Sequence, residues 1–350
     1  MFIEKEIETT INQKRISKIT FTNDNNYSVS FFNFGGYIDS IRIPYRNNPS
    51  KSEDVLLGYE DFQGYVNDQS YFNCIAGRVC GRIANAKFNL NNKQYKLFAN
   101  DGFHHLHGGK EGFNKKIWKI ISLDETADCL KCVLQYISPH LEESYPGRLE
   151  CNVTYTLTNN NELIIDFVAE SDQDTIVSLT NHNYWNFHGH HPMYQNVLDH
   201  SVKINAQCYC ESDQDLIPTG QLLNVEKTKL DFHKYRIIDK NILDDNGIDE
   251  CYCIDEFDKK IKEVACVYSS LTKMGLKLYS NQPGLQFYTG NMMDDYYLGK
   301  YSRKYGNQYG LCLEPQLFPD AISHKNFISP ILQKGEKYNS KIVMKLKNDF

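Results

Sequence analysis

The sequence of 350 residues lacks several features that would assign it to familiar protein classes. It has no surplus of basic residues, since 38 Lys and Arg stand against 44 Asp and Glu, and the formal net charge is -6. Such a balance does not favour binding to a phosphate backbone, so we expect no nucleic-acid partner. No apolar run approaches the ~20 residues of a membrane-spanning helix. The first ten residues, MFIEKEIETT, do not resemble a signal peptide.

Paired CxxC motifs of zinc sites are also missing. The 11 cysteines are scattered, and CLKC at 129–132 has neither a matching second motif nor a nearby histidine. A structural zinc site is therefore not expected. Without a signal peptide, this cysteine usage predicts a cytoplasmic protein with reduced thiols and no membrane partner.

Strand patterns fill most of the chain, whereas helical periodicity is scarce. Segments rich in β-formers and broken by turn residues occur at 28–44, 149–171, 275–291 and 340–347, and the best helical stretch is the short 65–72. Many short strands between turns are typical of an all-β sandwich or barrel. No linker or break in composition divides the chain, so we expect one domain over residues 1–350.

Histidine is concentrated in two segments, DGFHHLHGG at 101–109 and SLTNHNYWNFHGHH at 178–191. In an extended strand, residues 105 and 107 face one side and residue 104 the other. A zinc ion would need ligands from both segments, and neither has the HExxH framing of established sites. We therefore expect no metal, and we favour structural roles for His104, His105, His188, His190 and His191.

Other polar residues stand where a core would not choose them. Glu314 lies between an apolar strand and a proline in LCLEPQ. A residue before proline is held extended, and apolar neighbours raise a carboxyl pKa toward that of a general base. The alternative is a surface Glu at a strand end. Arg78 and Arg82 share one glycine-rich stretch, where each either binds a ligand or pairs with an internal acid.

These segments, in their order along most of the chain, resemble the aldose 1-epimerase or galactose mutarotase family. The resemblance rests on an ordered set in which TNHNY and CLEPQLFPDA are the most specific. The set is LGYEDFQGY (57–65), GRVCGRIANAKF (77–88), LHGG (106–109), TNHNY (180–184), IPTG (217–220), GID (247–249), QFYTGN (286–291), CLEPQLFPDA (312–321) and FISPILQKGEKY (327–338).

The resemblance implies a large antiparallel β-sandwich and the interconversion of α and β anomers of a free aldohexose such as galactose or glucose. It implies that Glu314 is the general base at the C1 hydroxyl and that His182 is the general acid at the ring oxygen. His107 matches a residue that hydrogen-bonds the sugar. Three further positions match sugar-binding residues: Arg82, Asp249 and Gln286. The chemistry requires no cofactor.

The chain departs from the family pattern near these positions. Gly81 stands where many members have Asn, His104 also stands at a usual Asn, and Glu250 stands where His is common. Asn183 and Trp185 replace a usual Ser and Phe. None removes the proposed acid or base, so we expect activity, and the departures leave the sugar preference open. We expect Tyr184 and Trp185 to serve mainly in packing.

Three alternative functions remain at this stage. An epimerase of sugar phosphates would need cationic side chains that converge on the phosphate, and Arg78 and Arg82 are candidates. A non-catalytic sugar-binding protein would have no need of Glu314 and His182. A glycoside-cleaving enzyme would use two carboxylates, with Glu314 and Asp249 as candidates. The preferred sugar and the oligomeric state, monomer or homodimer, are left open.

Overall fold

Alternating strand patterns become antiparallel sheet along most of the chain. A computed structural model describes residues 1–190, 193, 196–243, 247–293 and 298–350. The first fifteen strands are β1 Phe2–Ile11, β2 Lys14–Thr22, β3 Ser28–Phe32, β4 Ile38–Tyr45, β5 Asn48–Asp54, β6 Ile75–Ala76, β7 Arg82–Ile83, β8 Lys87–Leu90, β9 Lys93–Lys96, β10 His105–Leu106, β11 Lys119–Glu125, β12 Cys129–Ser138, β13 Leu149–Thr158, β14 Glu162–Ser171 and β15 Thr175–Ile176.

The second half of the chain continues the pattern. Its strands are β16 Thr180–Asn181, β17 Tyr184–Trp185, β18 His200–Ile204, β19 Cys208–Ser212, β20 Pro218–Asn224, β21 Arg236–Ile237, β22 Asp249–Cys253, β23 Lys262–Ser269, β24 Gly275–Ser280, β25 Gly284–Tyr288, β26 Leu298–Gly299, β27 Arg303–Lys304, β28 Leu311–Gln316, β29 Ile331–Leu332 and β30 Lys337–Lys347. Two short helices accompany them, α1 Phe62–Asn67 and α2 Lys240–Leu243. In the described residues, no helix has the length and apolar character needed to span a membrane.

Three sheets make up most of the fold. A five-stranded sheet has the order β1-β2-β3-β4-β5, and a nine-stranded sheet has the order β11-β12-β13-β14-β30-β24-β23-β18-β21. A six-stranded sheet has the order β17-β28-β25-β22-β19-β20. One buried hydrophobic cluster draws residues from all three sheets. The predicted all-β antiparallel sandwich is confirmed.

The sequence patterns map closely onto these strands. The predicted hairpin at 149–171 forms β13 and β14, paired from Leu149 with Ser171 to Leu157 with Leu163. The segment 275–291 forms two strands as expected, but β24 joins the nine-stranded sheet and β25 the six-stranded sheet. The turn between them therefore carries the chain from one layer of the sandwich to the other.

Side-chain alternation in the six-stranded sheet separates the core from the opposite face. Leu313 on β28 and Phe287 on β25 are buried in the shared hydrophobic cluster. Because successive residues of a strand point to opposite faces, Glu314 and Gln286 lie on the other face. We call that face the polar face.

The buried residue Arg78 attaches the glycine-rich segment 77–82 to the large sheet. Its guanidinium donates hydrogen bonds to the carbonyl oxygens of Pro146 and Gly147 at 2.8 and 3.1 Å. It also donates to the hydroxyls of Ser138 and Thr175 at 2.6 and 3.3 Å. Burial lowers the pKa of Arg78 to about 10. Arg78 thus stabilises the fold by bonding to carbonyl and hydroxyl groups. These partners are neither of the two that the sequence suggested, a ligand or an internal acid.

We predict that Arg78→Met lowers the free energy of unfolding by roughly 2–4 kcal/mol, because several buried acceptors lose their donor. Urea denaturation of the two proteins measures the difference. Arg148→Met, at the exposed residue directly before β13, is the control and should change stability by no more than about 0.5 kcal/mol. Equal stabilities of wild type and Arg78→Met would contradict the anchoring role.

Candidate active site

A cavity of about 280 Å³ opens on the polar face of the six-stranded sheet, at the small end of the usual range for ligand sites. It is lined by Gln69, Ser70, Tyr71, Gly81, Arg82, Leu106, His107, His182, Tyr184, Ser212, Leu216, Asp249, Cys251, Gln286, Tyr288, Met292, Met293, Glu314, Gln316 and Pro319. All six residues that the sequence suggested for the site line this one cavity.

Three of these residues are brought together by strand register. Glu314 on β28 lies opposite Gln286 on β25, and Gln286 lies opposite Cys251 on β22. Asp249 precedes Cys251 by two residues, so it points to the same face. Its Oδ1 accepts a hydrogen bond from Nε2 of Gln286 at 2.7 Å. The residues are far apart in sequence but adjacent in the sheet.

His182 is held between the two short strands β16 and β17. Its backbone N–H donates to the carbonyl of Cys74 at 3.0 Å, and its carbonyl accepts from the N–H of Asn73 at 2.9 Å. The hydroxyl of Thr180 donates to the carbonyl of Pro315 at 2.9 Å. Because Pro315 follows Glu314, this bond fixes the histidine segment relative to the carboxylate.

The central pair of the site is a carboxyl and an imidazole. Nε2 of His182 lies 3.5 Å from Oε1 of Glu314, and the side chains are 8% and 2% exposed. Burial, assisted by the charge of Asp249, raises the pKa of Glu314 well above its usual value. Burial lowers the pKa of His182 to about 4. The predicted desolvation of Glu314 is confirmed, and the alternative of a surface Glu is wrong.

Neighbouring rings pack against His182. Its ring stacks on Tyr184 with centroids 5.0 Å apart and lies 5.2 Å from the ring of His107. Tyr71 packs on His107 at 4.6 Å. Sγ of Cys312 contacts the remaining ring nitrogen of His182, Nδ1, at 3.6 Å. Nε2 is therefore left facing Glu314 and the cavity.

His107 presents a single proton to the cavity. Its Nδ1 accepts a hydrogen bond from the backbone N–H of Gly81 at 3.3 Å. Burial, with the nearby His182, holds the pKa of His107 well below its usual value, so the ring is neutral. A neutral imidazole that accepts at Nδ1 carries its proton on Nε2. His107 is thus a hydrogen-bond donor at Nε2.

Two buried acceptors at the site have no hydrogen-bond partner among the described residues. They are Oε2 of Glu314 and Oε1 of Gln286. Burying such oxygens is costly unless a donor reaches them. Arg82 lines the cavity as well, and its Nε donates to Asp101 at 2.8 Å. The cavity therefore offers acceptors and donors suited to a ligand with several hydroxyl groups.

The other histidines contact protein groups outside the cavity. His105 contacts the carbonyl of Phe98 at 2.8 Å through Nδ1 and the hydroxyl of Tyr145 at 2.6 Å through Nε2. Strand β10 ends at Leu106, and His107 has a left-handed φ of 48°. The expected alternation of 105 and 107 on one side is therefore broken, and the two rings point to different surroundings.

Three further histidines were expected to be structural. Nδ1 of His104 accepts from the backbone of Asn85 at 3.2 Å, and His190 contacts the carbonyl of Leu56 at 3.0 Å. His188 lies 2.9 Å from Asp199. These contacts agree with structural roles. His191 lies outside the described residues.

His188, Asp199 and His200 lie close enough together to suggest a metal site. However, Nε2 of His200 accepts a hydrogen bond from the backbone N–H of Phe187 at 2.9 Å. A neutral ring that accepts at Nε2 carries its proton on Nδ1, the nitrogen that faces Asp199 at 3.6 Å. The group therefore fits a hydrogen-bonded network better than a set of metal ligands.

Sequence reasoning missed several residues of the cavity wall. Tyr71 has a left-handed φ of 60° and Leu216 lies in a loop, so neither position follows from strand alternation. Cys251 and Gln316 were detectable in principle, because each is two residues from a predicted site residue on the same strand. Tyr184 lines the cavity in addition to packing on His182, whereas Trp185 is buried in the hydrophobic core as expected.

Comparison with known proteins identifies relatives of the chain. A family model described as aldose 1-epimerase matches residues 17–345. Galactose mutarotase of Mus musculus is 38% identical over 316 residues, which cover 89% of each chain. Aldose 1-epimerase of Streptococcus thermophilus is 30% identical over 347 residues, covering 98% of this chain and 97% of that protein. The crystal structure of galactose 1-epimerase from Lactobacillus acidophilus superposes with a TM-score of 0.86 at 23% identity, covering 100% of this chain and 99% of that one.

We predict that Glu314→Gln raises the free energy of unfolding at neutral pH. A free Glu ionises near pH ~4.3, and the pKa of Glu314 is higher in the folded chain. Between these two values the folded state binds more protons than the unfolded state, so stability falls as pH rises. The amide of the variant escapes this loss.

The advantage of Glu314→Gln should be absent near pH ~4 and grow with pH by about 1.4 kcal/mol per unit of pKa difference. Urea unfolding of both proteins over a pH series measures it. Glu226→Gln, whose side chain is 69% exposed, should show no such growth. An advantage that shrinks with rising pH would contradict the raised pKa.

Proposed function

The chain belongs to the aldose 1-epimerase family, and from this premise we propose that Glu314 and His182 are the acid–base pair of its reaction. The enzyme interconverts the α and β anomers of free hexoses. The observation that carries our assignment is the 3.5 Å separation of Oε1 of Glu314 and Nε2 of His182 inside the buried cavity.

Mutarotation needs two proton transfers at adjacent atoms of the sugar. The base removes the proton of the C1 hydroxyl while the bond between C1 and the ring oxygen breaks, and the acid protonates that ring oxygen. The open aldehyde then rotates about C1–C2, and the ring closes with the two roles reversed. We assign the base to Glu314 and the acid to His182, each worth roughly 10²–10⁴-fold in rate.

The pair must hold one transferable proton throughout this cycle. Before ring opening Glu314 is a carboxylate and His182 is an imidazolium with its transferable proton on Nε2. Afterwards Glu314 holds the proton of the C1 hydroxyl, and His182 is neutral because its proton has passed to the ring oxygen. Burial raises the pKa of Glu314 and lowers that of His182. The cavity therefore favours a carboxylic acid beside a neutral imidazole, which is the protonation state that accompanies the open-chain sugar. The ring-opened intermediate is the species that this electrostatic environment suits.

The remaining site residues are assigned to the hydroxyl groups of the sugar. The Nε2–H of His107 points a donor into the cavity next to His182, which suits an oxygen near the ring oxygen. Asp249 and Gln286 are joined by their own hydrogen bond, and together they offer acceptors for two neighbouring hydroxyls. Arg82 is oriented by Asp101 and contributes the remaining donors of its guanidinium.

The arrangement of cations disfavours a sugar phosphate as substrate. Among the described residues that line the cavity, Arg82 alone is an Arg or Lys. Arg78, the other candidate, is directed at the carbonyls of Pro146 and Gly147. A phosphate group needs several converging donors, so a neutral sugar fits the cavity better.

Sugar preference is proposed to depend on Gly81. It has a left-handed φ of 71°, and a Cβ there would lie 3.3 Å from Pro319 and 3.6 Å from Nε2 of Gln316. The backbone at Gly81 supports His107, while the missing side chain leaves space beside Gln316. The departures at His104 and Glu250 lie outside the cavity wall, so we assign them no direct part in sugar choice.

We predict that Glu314→Gln and His182→Gln each lower kcat for hexose mutarotation by roughly 10²–10⁴-fold, because each removes one proton-transfer group. Polarimetry of freshly dissolved α-D-galactose and α-D-glucose, with chelator present, measures the rates. The final rotation must be the same in every sample, since a catalyst leaves the equilibrium unchanged.

Glu250→Gln is the matched control, because Glu250 is on the same strand as Asp249 but points to the opposite face. It should retain activity within a few-fold. Methyl α-D-galactoside, whose anomeric oxygen is blocked, should not react, and nitrophenyl galactosides should release no nitrophenol. Release of nitrophenol would favour the glycoside-cleaving alternative, and full activity of Glu314→Gln would contradict the assigned base.

A further inference from the structure

Two identical tripeptides, Cys-Tyr-Cys at 208–210 and at 251–253, lie side by side in the six-stranded sheet. Strands β19 and β22 pair with Cys208 opposite Cys253 and Tyr209 opposite Tyr252. Continuing this register by one residue places Cys210 opposite Cys251. Because residues two apart share a face and opposite residues share it too, all four thiols lie on one face. We call them the thiol cluster.

The thiol cluster continues the polar face that carries the active site. Cys251 lies opposite Gln286, which in turn lies opposite Glu314. One row across the sheet thus runs from Glu314 through Gln286 and Cys251 to Cys210. Cys251 also lines the sugar cavity, so a change at the thiol cluster reaches the cavity wall directly.

One short contact between sulfurs joins the diagonal of the cluster. Sγ of Cys210 lies 3.9 Å from Sγ of Cys253. With sulfur–metal distances of about 2.3 Å, two ligands on one ion stand at most about 4.6 Å apart. The observed separation therefore already fits both sulfurs on a single ion. Cys208 and Cys253 are partly accessible to solvent, which gives an ion a way in.

The number of thiols that lie close together indicates which metal ion could bind. Among the described residues, no three thiol sulfurs lie within 4.8 Å of one another. Zinc in a structural site takes four ligands, which this cluster does not bring together. Soft monovalent copper is bound by thiolate ligands, and deprotonation of Cys210 and Cys253 supplies two of them.

We propose that Cys210 and Cys253 form a binding site for a soft, thiophilic cation of low coordination number, with monovalent copper as the type. Both thiols lose their protons to solvent as two Cu–S bonds form, and copper keeps its oxidation state. A thiol ionises near pH ~8.5, so the ion must displace a proton from each sulfur at neutral pH. This inference does not depend on the roles proposed for Glu314 and His182.

The test is anaerobic titration of the fully reduced full-length protein with Cu(I) in the presence of a chromogenic Cu(I) chelator. We expect one tightly held Cu(I) per chain, with two sulfur ligands by X-ray absorption. Cys210→Ser and Cys253→Ser should each weaken binding by about 100-fold or more, because losing outer-shell partners alone costs about 10–100-fold. Affinity should rise with pH, since binding releases protons.

Two controls separate this site from binding by any free thiol. Cys266→Ser removes a buried thiol of β23 in the nine-stranded sheet, and Cys208→Ser removes a cluster member outside the 3.9 Å pair. Both should retain the copper. Unchanged binding in Cys253→Ser, equal losses in Cys266→Ser, or four sulfur ligands in the absorption spectrum would each overturn the proposal.

Activity gives a second readout. Because Cys251 lies in the cavity wall next to the pair, bound Cu(I) should lower kcat/KM for galactose several-fold in wild type. Cys253 lies outside the cavity, so Cys253→Ser without copper should be as active as wild type. The same Cu(I) should have no effect on this variant. An equal effect of Cu(I) on both proteins would assign the inhibition to another site.

Discussion

The site depends on a buried carboxyl that forms no ion pair with Lys or Arg among the described residues. Glu314 is 2% exposed, and its Oε1 lies 3.5 Å from Nε2 of His182. An ionised carboxylate in such surroundings is unfavourable, so the carboxyl tends to keep a proton. The fold sustains this position because β28 lies between β17 and β25 and because Thr180 bonds to the carbonyl of Pro315. The same burial that disfavours the ionised carboxylate at neutral pH suits the carboxyl to its proposed role as a proton carrier.

Side-chain alternation gives the two faces of the six-stranded sheet different chemical characters. Odd-numbered residues of β28 and β25 pack in the core, while even-numbered ones form the polar face. At one end of that face the sheet presents Glu314 and Gln286, and at the other end it presents thiols. Cys251 belongs to both regions, since it lines the cavity and lies beside Cys210. A change at the thiols therefore reaches the cavity wall through a single strand-to-strand step.

Sequence reasoning predicted the all-β sandwich and proposed six site residues, all of which line one cavity. The reasons can be identified. Strand alternation is local, so β13, β14 and β30 were visible in the sequence. The family motifs carried Glu314, His182 and Asp249, which no local rule would have joined. What escaped depends on long-range or irregular backbone. The left-handed φ of Tyr71 and His107 breaks alternation, and the Cys208–Cys253 pairing appears only once two distant strands are in register.

Reversible proton exchange places a demand on the pair that burial helps to meet. In water an imidazole holds a proton more tightly than a carboxylate, by about two pKa units, so transfer from His182 to Glu314 would be uphill. Burial reverses this order, because it raises the pKa of Glu314 and lowers the pKa of His182. A bound sugar hydroxyl that donates to the unpartnered Oε2 of Glu314 stabilises the carboxylate and lowers its pKa again. In the proposed mechanism the substrate thereby brings the proton affinities of Glu314 and His182 close to balance. A reaction that must run from either anomer requires this balance.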